Sequence, residues 1–550
     1  MKTLSPRRFG ALTAAALVAT AVTAVAGPAQ ATTPTPVDTG AAWLTSQIQA
    51  NGLLASQYGP DYWTSADAAL AQFATGHTTD GTNIATALAA NVNHYISNAD
   101  YGYATEYSAG STAKALVLAK LAGIDPTNFG GVNLVTRLEG LVAPSGNSTG
   151  RIEDTVDPAD QYGADYGNTL GQAFAVRALA EQSAPQASDA LTYLLKQQCE
   201  AGYFRIYFTA DKTASDQSCD GGRPTTGASY GDDSDPSVDA TAYALIELKA
   251  LPTIDATTAR AIGKAEAWLE SVQNVDGSFA DLPFTGGTAN ADSTGLAGWA
   301  LGDWNDLGAA RDAASWIRAR QAQNVTPCTD ALTAQAGAIA HDSAALAHGR
   351  TAGIPLTDAY SWNLSTAQAL PSLNYYDPAV ASSALKVTAT TAYVQAKTRT
   401  VATVSGLVAG APACVTLGTT HVQLAAGLDG TARVSLLMPA GTANRAVSVA
   451  DGTATAGTTI KVLDVKTFTL SPTTLRPHHG TSFTLRVYGM APGERVTVAY
   501  AGRVVLRSVA TSAGTYTHAI AAGSSLGNKA LVVTGQFSNR KGAKTITVIR

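Results

Sequence analysis

Four short stretches join a Tyr-Gly pair to acidic and aromatic side chains: Tyr58-Gly-Pro-Asp61-Tyr62-Trp63, Tyr101-Gly-Tyr103-Ala-Thr-Glu106-Tyr107, Tyr162-Gly-Ala-Asp165-Tyr166 and Tyr230-Gly-Asp232-Asp233-Ser-Asp235. Flat ring faces with carboxylates between them suit a pocket for a carbohydrate or a cationic group. The expected ligand-binding set is therefore Asp61, Tyr62, Trp63, Glu106, Tyr107, Asp165, Tyr166, Asp233 and, just beyond the fourth stretch, Asp239. The competing reading packs each Tyr over its own turn and leaves the acids solvated. Asp232, Asp233, Asp235 and Asp239 would also offer hard oxygen ligands to calcium, but their spacing matches no dedicated calcium loop, so no metal is expected. No pattern assigns a catalytic residue, and none calls for a cofactor.

The elements that must hold these residues repeat along the chain. Ala42-Trp43-Leu44, Leu191-Thr192-Tyr193-Leu194, Ala267-Trp268-Leu269 and Ser315-Trp316-Ile317 mark one helix type. Two such helices run into a Q-x-x-x-G-x-F ending, Gln198 to Phe204 by way of Gly202 and Gln273 to Phe279 by way of Gly277, and Gln47 to Gly52 with Leu54 is a looser copy. Gly stops each helix where a positive φ is needed. Between them, segments starting near Asp67, Gly110, Gly167, Asp239, Asp292 and Thr333 are small or apolar almost all round, which predicts helices buried on every side. Outer helices are expected near 40 to 48, 84 to 97, 132 to 142, 187 to 198, 257 to 273 and 309 to 321. Six of each in alternation predict an all-α, six-hairpin α/α toroid.

The alternation and the Q-x-x-x-G-x-F endings resemble the squalene cyclase and prenyltransferase repeat superfamily over roughly residues 37 to 350. That resemblance implies inner helices running in one direction, so the Tyr-Gly loops should meet at one rim of the barrel. The family's proton-initiated cyclases carry D-x-D-D-T-A at the head of an inner helix. Here Ser237-Val-Asp239-Ala-Thr-Ala242 keeps only the middle acid, and Asn290-Ala-Asp292-Ser-Thr-Gly295 repeats the remnant. With Ser237 and Ala240 in place of the flanking carboxylates, the means of holding a proton on a strong acid is expected to be missing. Asp67, Asp239 and Asp292 read instead as helix N-caps. The prenyltransferase zinc needs an Asp, a Cys and a His, yet Cys199, Cys219 and Cys328 lack the matching His and His341 stands alone, so zinc is not expected. The GCGEQ signature of thioester relatives is absent, and nothing argues for a corrin.

Lys2, Arg7 and Arg8 precede an apolar run from about Phe9 to Ala26 and an Ala29-Gln30-Ala31 cleavage site, so residues 1 to 31 read as an export signal, general or twin-arginine, rather than an anchor. The remaining 519 residues suggest about three domains. The formal charge is −5, and the chain lacks basic clusters, which sets nucleic acid aside as a partner. Composition changes near residue 375 to Thr/Val alternation with Gly turns, predicting two β-sandwiches that resemble Ig-like modules of bacterial exported proteins. The expected order is toroid over 37 to 375 and modules over 383 to 465 and 466 to 550. Four cysteines in an exported chain read as staples: Cys199 with Cys219, closing a polar insertion, and Cys328 with Cys414, clamping the toroid to the first β module. The expected function is binding of a carbohydrate or other small polar ligand outside the cell, with a cell-envelope partner for the modules and no membrane span in the mature chain. The alternative is an enzyme, related to terpenoid cyclases or acting on glycans through rim carboxylates.

Overall fold

The computed structural model describes residues 34–219, 235–378 and 384–550. The expected export signal and Asp232 and Asp233 lie outside these residues. Six inner helices succeed one another in chain order: Tyr62–Ala74, Ala109–Ala122, Thr169–Glu181, Val238–Lys249, Ala291–Asp303 and Leu356–Ala369. Each packs on the next and the sixth returns to the first, so the ring closes. Between them run the outer helices Pro36–Gln47, Thr78–Ala90, Leu134–Glu139, Ala187–Lys196, Ala256–Val272 and Leu307–Arg320. The two sets differ in burial as their compositions dictate. Every residue from Val238 to Leu248 is buried in the fourth inner helix, whereas Ala187–Lys196 buries only Ala190, Tyr193 and Leu194, one stripe of an amphipathic surface.

The Q-x-x-x-G-x-F endings join one hairpin to the next. Gln198 Nε2 donates to Gly202 O and to Ala261 O, both at 2.8 Å, so one amide ties its own turn to the following outer helix. Gln273 repeats this with Gly277 O at 3.1 Å and Ala309 O at 2.9 Å. Gln321 donates to Gly337 O at 3.1 Å and to Pro36 O at 2.9 Å, which links the last outer helix to the first. The Gly is required twice over. At Gly277, φ is +86° and an added Cβ would lie 2.4 Å from Asp312 O. The next ring of the motif then anchors inward: Phe204 N and Phe279 N donate to Thr241 Oγ1 and Thr294 Oγ1, each at 2.9 Å.

One expected element is corrected. Thr333 opens only a three-residue 3₁₀ turn, Thr333–Gln335, and the sixth inner helix is Leu356–Ala369. The Gln321 to Gly337 turn is stretched by an insertion that carries Cys328, and a further helix, Ser343–Ala352, intervenes before the ring resumes.

Beyond Tyr375 the described residues form only β-strands and their connections. Strands Lys386–Ala389, Arg399–Ser405 and Ala432–Leu437 form one sheet, facing a five-stranded sheet that ends in Thr420–Ala425. A second unit repeats the arrangement, with Thr469–Pro472, Ser482–Tyr488 and Thr515–Ala521 opposite a five-stranded sheet. Each unit has its own core, around Val404, Val415 and Ile460 in the first and Leu485, Val498 and Ile546 in the second. Period-two burial explains why: Ala432–Leu437 alternates buried and exposed residues along its whole length.

Both expected disulfides are present. Cys199–Cys219 closes the polar insertion with Cα atoms 5.0 Å apart, and inside it Arg205, fully buried, donates to Gln197 Oε1, Thr209 Oγ1 and Gln217 O. Cys328–Cys414 joins the helical ring to the first β unit, with Cα atoms 5.6 Å apart. Beside it Gln423 Nε2 donates to Gln323 O at 3.0 Å, and Gly410 passes so close to the last outer helix that a Cβ would sit 2.2 Å from Ser315 O.

Candidate functional site

The rim is built where the inner helices begin. Asp61 is the N-cap of the first, its Oδ1 accepting from Thr64 N at 3.0 Å, and this fixes Tyr62 and Trp63 in the opening turn. The preceding hairpin, Leu54–Ser56 with Gly59–Asp61, carries Tyr58 at its tip. A second small ladder pairs Ser97–Asn98 with Tyr103–Tyr107 and presents Tyr101 and Glu106. Gly102 closes its turn at φ +92°, a conformation that explains the Tyr-Gly pair there.

Two cavities open on this rim. The larger, about 630 Å³, is lined among others by Asp61, Tyr62, Trp63, His94, Asp100 and Tyr360. The smaller, about 360 Å³, is lined by Trp63, Glu106, Tyr107, Asp154, Tyr162 and Tyr166, with others. They share Trp63, Ser97 and Asn98. Trp63, Tyr162 and Tyr166 are 57%, 79% and 70% exposed, so these rings offer their faces to solvent instead of covering their own turns.

The carboxylates are used unequally. Glu106 is buried and spent on structure: Oε2 accepts from Asn98 Nδ2 at 2.6 Å and Oε1 from Asp157 N at 2.9 Å. Gly163 permits that approach, since a Cβ there would meet Glu106 Oε1 at 2.6 Å. Asp154 accepts from Ala109 N and Tyr166 N, and burial, followed by the charge of Asp165, raises its pKa. Asp165 lines neither cavity. Burial raises its pKa, but hydrogen bonds from Asp154 N, Lys212 and Gly167 N, with the Arg151 guanidinium 3.0 Å away, outweigh this and hold it below the usual carboxylate range. In the larger cavity His94 Nδ1 lies 2.5 Å from Asp100 Oδ1, and its ring stacks on Tyr62 with centroids 5.6 Å apart. Asp61 is only 6% exposed, and its Oδ2 has no hydrogen-bond partner among the described residues.

Asp239 also lines neither rim cavity. It heads the fourth inner helix within a separate acidic cluster that sequence reasoning missed. The expectation that Asp67, Asp239 and Asp292 are N-caps is corrected: the caps are Asp61, Ser237 and Asn290. Asp67 pairs with Lys114 Nζ at 2.6 Å. Asp281, absent from the sequence reading, caps the short helix Leu282–Thr285 and accepts from Ser237 Oγ at 2.7 Å and Asp239 N at 3.2 Å. Burial first, then the charges of Asp281 and Asp292, push Asp239 well above the usual carboxylate range. Carboxylates thus flank Asp239 through space, although its neighbours in sequence carry none. Nor does His341 stand alone: its Nδ1 is 3.2 Å from Asp292 Oδ2, and that bond raises its pKa. Among the described residues no group of three or more His, Cys, Asp or Glu is placed to hold a metal ion.

Polar groups occupy the middle of the ring. Lys114 of the second inner helix reaches the Tyr243 ring of the fourth at 5.8 Å while paired to Asp67 of the first. Arg177 bridges Glu181 and the buried Glu247. Lys114 also lies over Phe174 of the intervening third helix, 4.8 Å from its centroid.

No family model matches this sequence, and no curated protein matches it. Among solved structures the chain is similar to a type II terpene cyclase from Scytonema at 17% identity and TM-score 0.40, covering 62% of this chain and 96% of that one. It is also similar to an unsaturated glucuronyl hydrolase specific for heparin, at 13% identity and TM-score 0.41, over 62% and 95% of the two chains. A third likeness, to an adhesin of Yersinia pseudotuberculosis, has 16% identity and TM-score 0.18 and covers 30% of this chain and 58% of that one. Likenesses this distant carry nothing about substrate or activity.

Proposed function

We propose that the protein is an exported binding protein that holds a glycan across the rim of an α/α toroid of the squalene cyclase and prenyltransferase type, with Ig-like modules acting as spacers toward a cell-envelope partner. The observation that carries the reading is Trp63: one exposed indole forms a wall of both cavities, with Tyr62 and Tyr360 on one side and Tyr107 and Tyr166 on the other. Two adjoining aromatic-walled pockets suit successive sugar rings, whose apolar faces stack on the side chains. The two disulfides fit an oxidising compartment, and among the described residues no helix is long and apolar enough to cross a membrane.

The first test is titration of the mature protein with a glycan panel. Trp63→Ala is expected to weaken the bound glycan by about 1 to 2 kcal/mol, roughly 5- to 30-fold, without loss of folding. Unchanged affinity in that variant would move the site away from the rim.

A second reading, an acid-catalysing enzyme, draws on Asp239, which keeps its proton at pH values where ordinary carboxylates have lost theirs. The separation of Asp239 from the rim cavities favours the binding reading. Incubating each bound glycan with wild type and Asp239→Asn decides between them, because an enzyme loses turnover by orders of magnitude in the variant while a binder yields no product from either.

A further inference from the structure

The charge of the rim narrows the ligand. Among the described residues no Lys or Arg side chain lines either cavity, whereas Asp61 and Asp100 line the larger and Glu106, Asp154 and Asp160 the smaller. An acidic sugar would meet these carboxylates at close range, and the one basic side chain among the described lining residues, His94, is already held by Asp100. The acids are not equivalent. Glu106 and Asp154 each accept two hydrogen bonds, Asp160 accepts from Tyr162 N at 2.8 Å, and Asp100 faces His94. Asp61 is the exception: Oδ1 caps the first inner helix, while Oδ2, in a side chain more than nine-tenths buried, has no partner among the described residues. A carboxylate oxygen taken from water without a donor is costly, and a cationic donor is the group that relieves that cost most fully. The same cavity is lined by the rings of Trp63, Tyr101 and Tyr360, whose negative faces attract an organic cation.

Resting on the rim reading above, we infer that the larger cavity takes a sugar bearing a free amine, its ammonium seated against Asp61 and its ring against Trp63. The discriminating feature is the positive charge, since an N-acetylated sugar of the same shape carries none and a neutral hydroxyl is a weaker donor to a carboxylate.

The test compares three ligands of one length and linkage by calorimetry on the full mature chain: a β-1,4-linked glucosamine tetramer, its fully N-acetylated form and cellotetraose. The free amine is expected to bind at least ten-fold more tightly than either. Asp61→Asn keeps a competent N-cap, so the helix should persist, and it is expected to erase most of that preference, so that in the variant the glucosamine tetramer and cellotetraose bind within about three-fold of each other. Equal or tighter binding of the acetylated or neutral tetramer overturns the inference and leaves the rim reading standing. Choline added as a fourth ligand separates a sugar amine from any alkylammonium: binding as tight as the glucosamine tetramer's overturns the assignment to a sugar. If none of the tetramers binds while another glycan of the panel does, the inference alone falls; if nothing on the panel binds, both fall.

Discussion

Asp239 illustrates how a single side chain takes its properties from residues far along the chain. Its neighbours in sequence are Val238 and Ala240, yet its environment is set by Asp281 and Asp292, which arrive from other elements. Because burial and these charges raise its pKa in the folded state, the native protein keeps a proton that the unfolded chain releases. Stability contributed by this residue is therefore greatest below the ordinary carboxylate pKa and falls as pH rises through the elevated folded value. Asp239→Asn removes the ionisation, so the variant is expected to melt higher than wild type near pH 7.5, with the gap closing toward pH 4. Calorimetric Tm values at the two pH values measure this. A gap that widens on acidification would mean that Asp239 is folded in its charged form.

At the scale of the element, the unit of construction is the Gln and Gly at the end of an outer helix. The Gln side chain satisfies two carbonyls belonging to successive hairpins, and the Gly lets their backbones touch. Gln273→Ala leaves Gly277 O and Ala309 O without their donor and is expected to cost about 1 to 3 kcal/mol. Gly277→Ala demands a positive φ and a close contact with Asp312 O together, and should cost more than about 1 kcal/mol from the backbone alone. Urea titration of both variants beside Ser271→Ala, whose exposed hydroxyl bonds only Trp268 O, supplies the comparison. If Gln273→Ala and Ser271→Ala are equally stable, the Gln is a bystander. In the second β unit the corresponding anchor is the buried pair of Arg540 and Glu494, with Nε to Oε1 at 2.6 Å and Nη2 to Oε2 at 2.8 Å.

For the whole molecule the decisive bond is Cys328–Cys414, which spans 86 residues and crosses from the helical ring to the first β unit. Val325 packs with both cysteines, and the Gln423 to Gln323 hydrogen bond lies alongside, so the joint is covalent, apolar and polar at once. A loop of that length implies about 4 to 5 kcal/mol of entropic stabilisation on the chain-entropy account. The double variant Cys328→Ala/Cys414→Ala is expected to lower the unfolding temperature of the unit that melts first, and to separate the melting of ring and module into distinct calorimetric steps. A single unshifted transition would show that the non-covalent contacts suffice.

The sequence by itself determined the features that depend on local periodicity. Small residues on every side marked five of the inner helices, a recurring aromatic-aliphatic segment marked four of the outer ones, and alternation marked the strands, because burial selects side chains at 3.6- or 2-residue intervals wherever one face is covered. It also specified Asp61, Trp63, Glu106, Tyr107 and Tyr166 as a set worth attention, since ring and acid types recur beside a Gly that turns or admits the chain. The sixth inner helix escaped, because an insertion interrupts the Gln321 to Gly337 turn and Leu356–Ala369 carries Tyr360, Trp362 and Asn363 in place of a run of small residues. Only the tertiary structure decided which acids are free to act. Asp165 is held by Arg151 and Lys212, Glu106 is consumed by Asn98 and Asp157 N, and Asp239 sits with Asp281, Asp292 and the Asp292 partner His341 beyond the rim cavities. A carboxylate's partners and burial are set by distances through space, and ring closure brings together residues whose separation along the chain gives no sign of their contact.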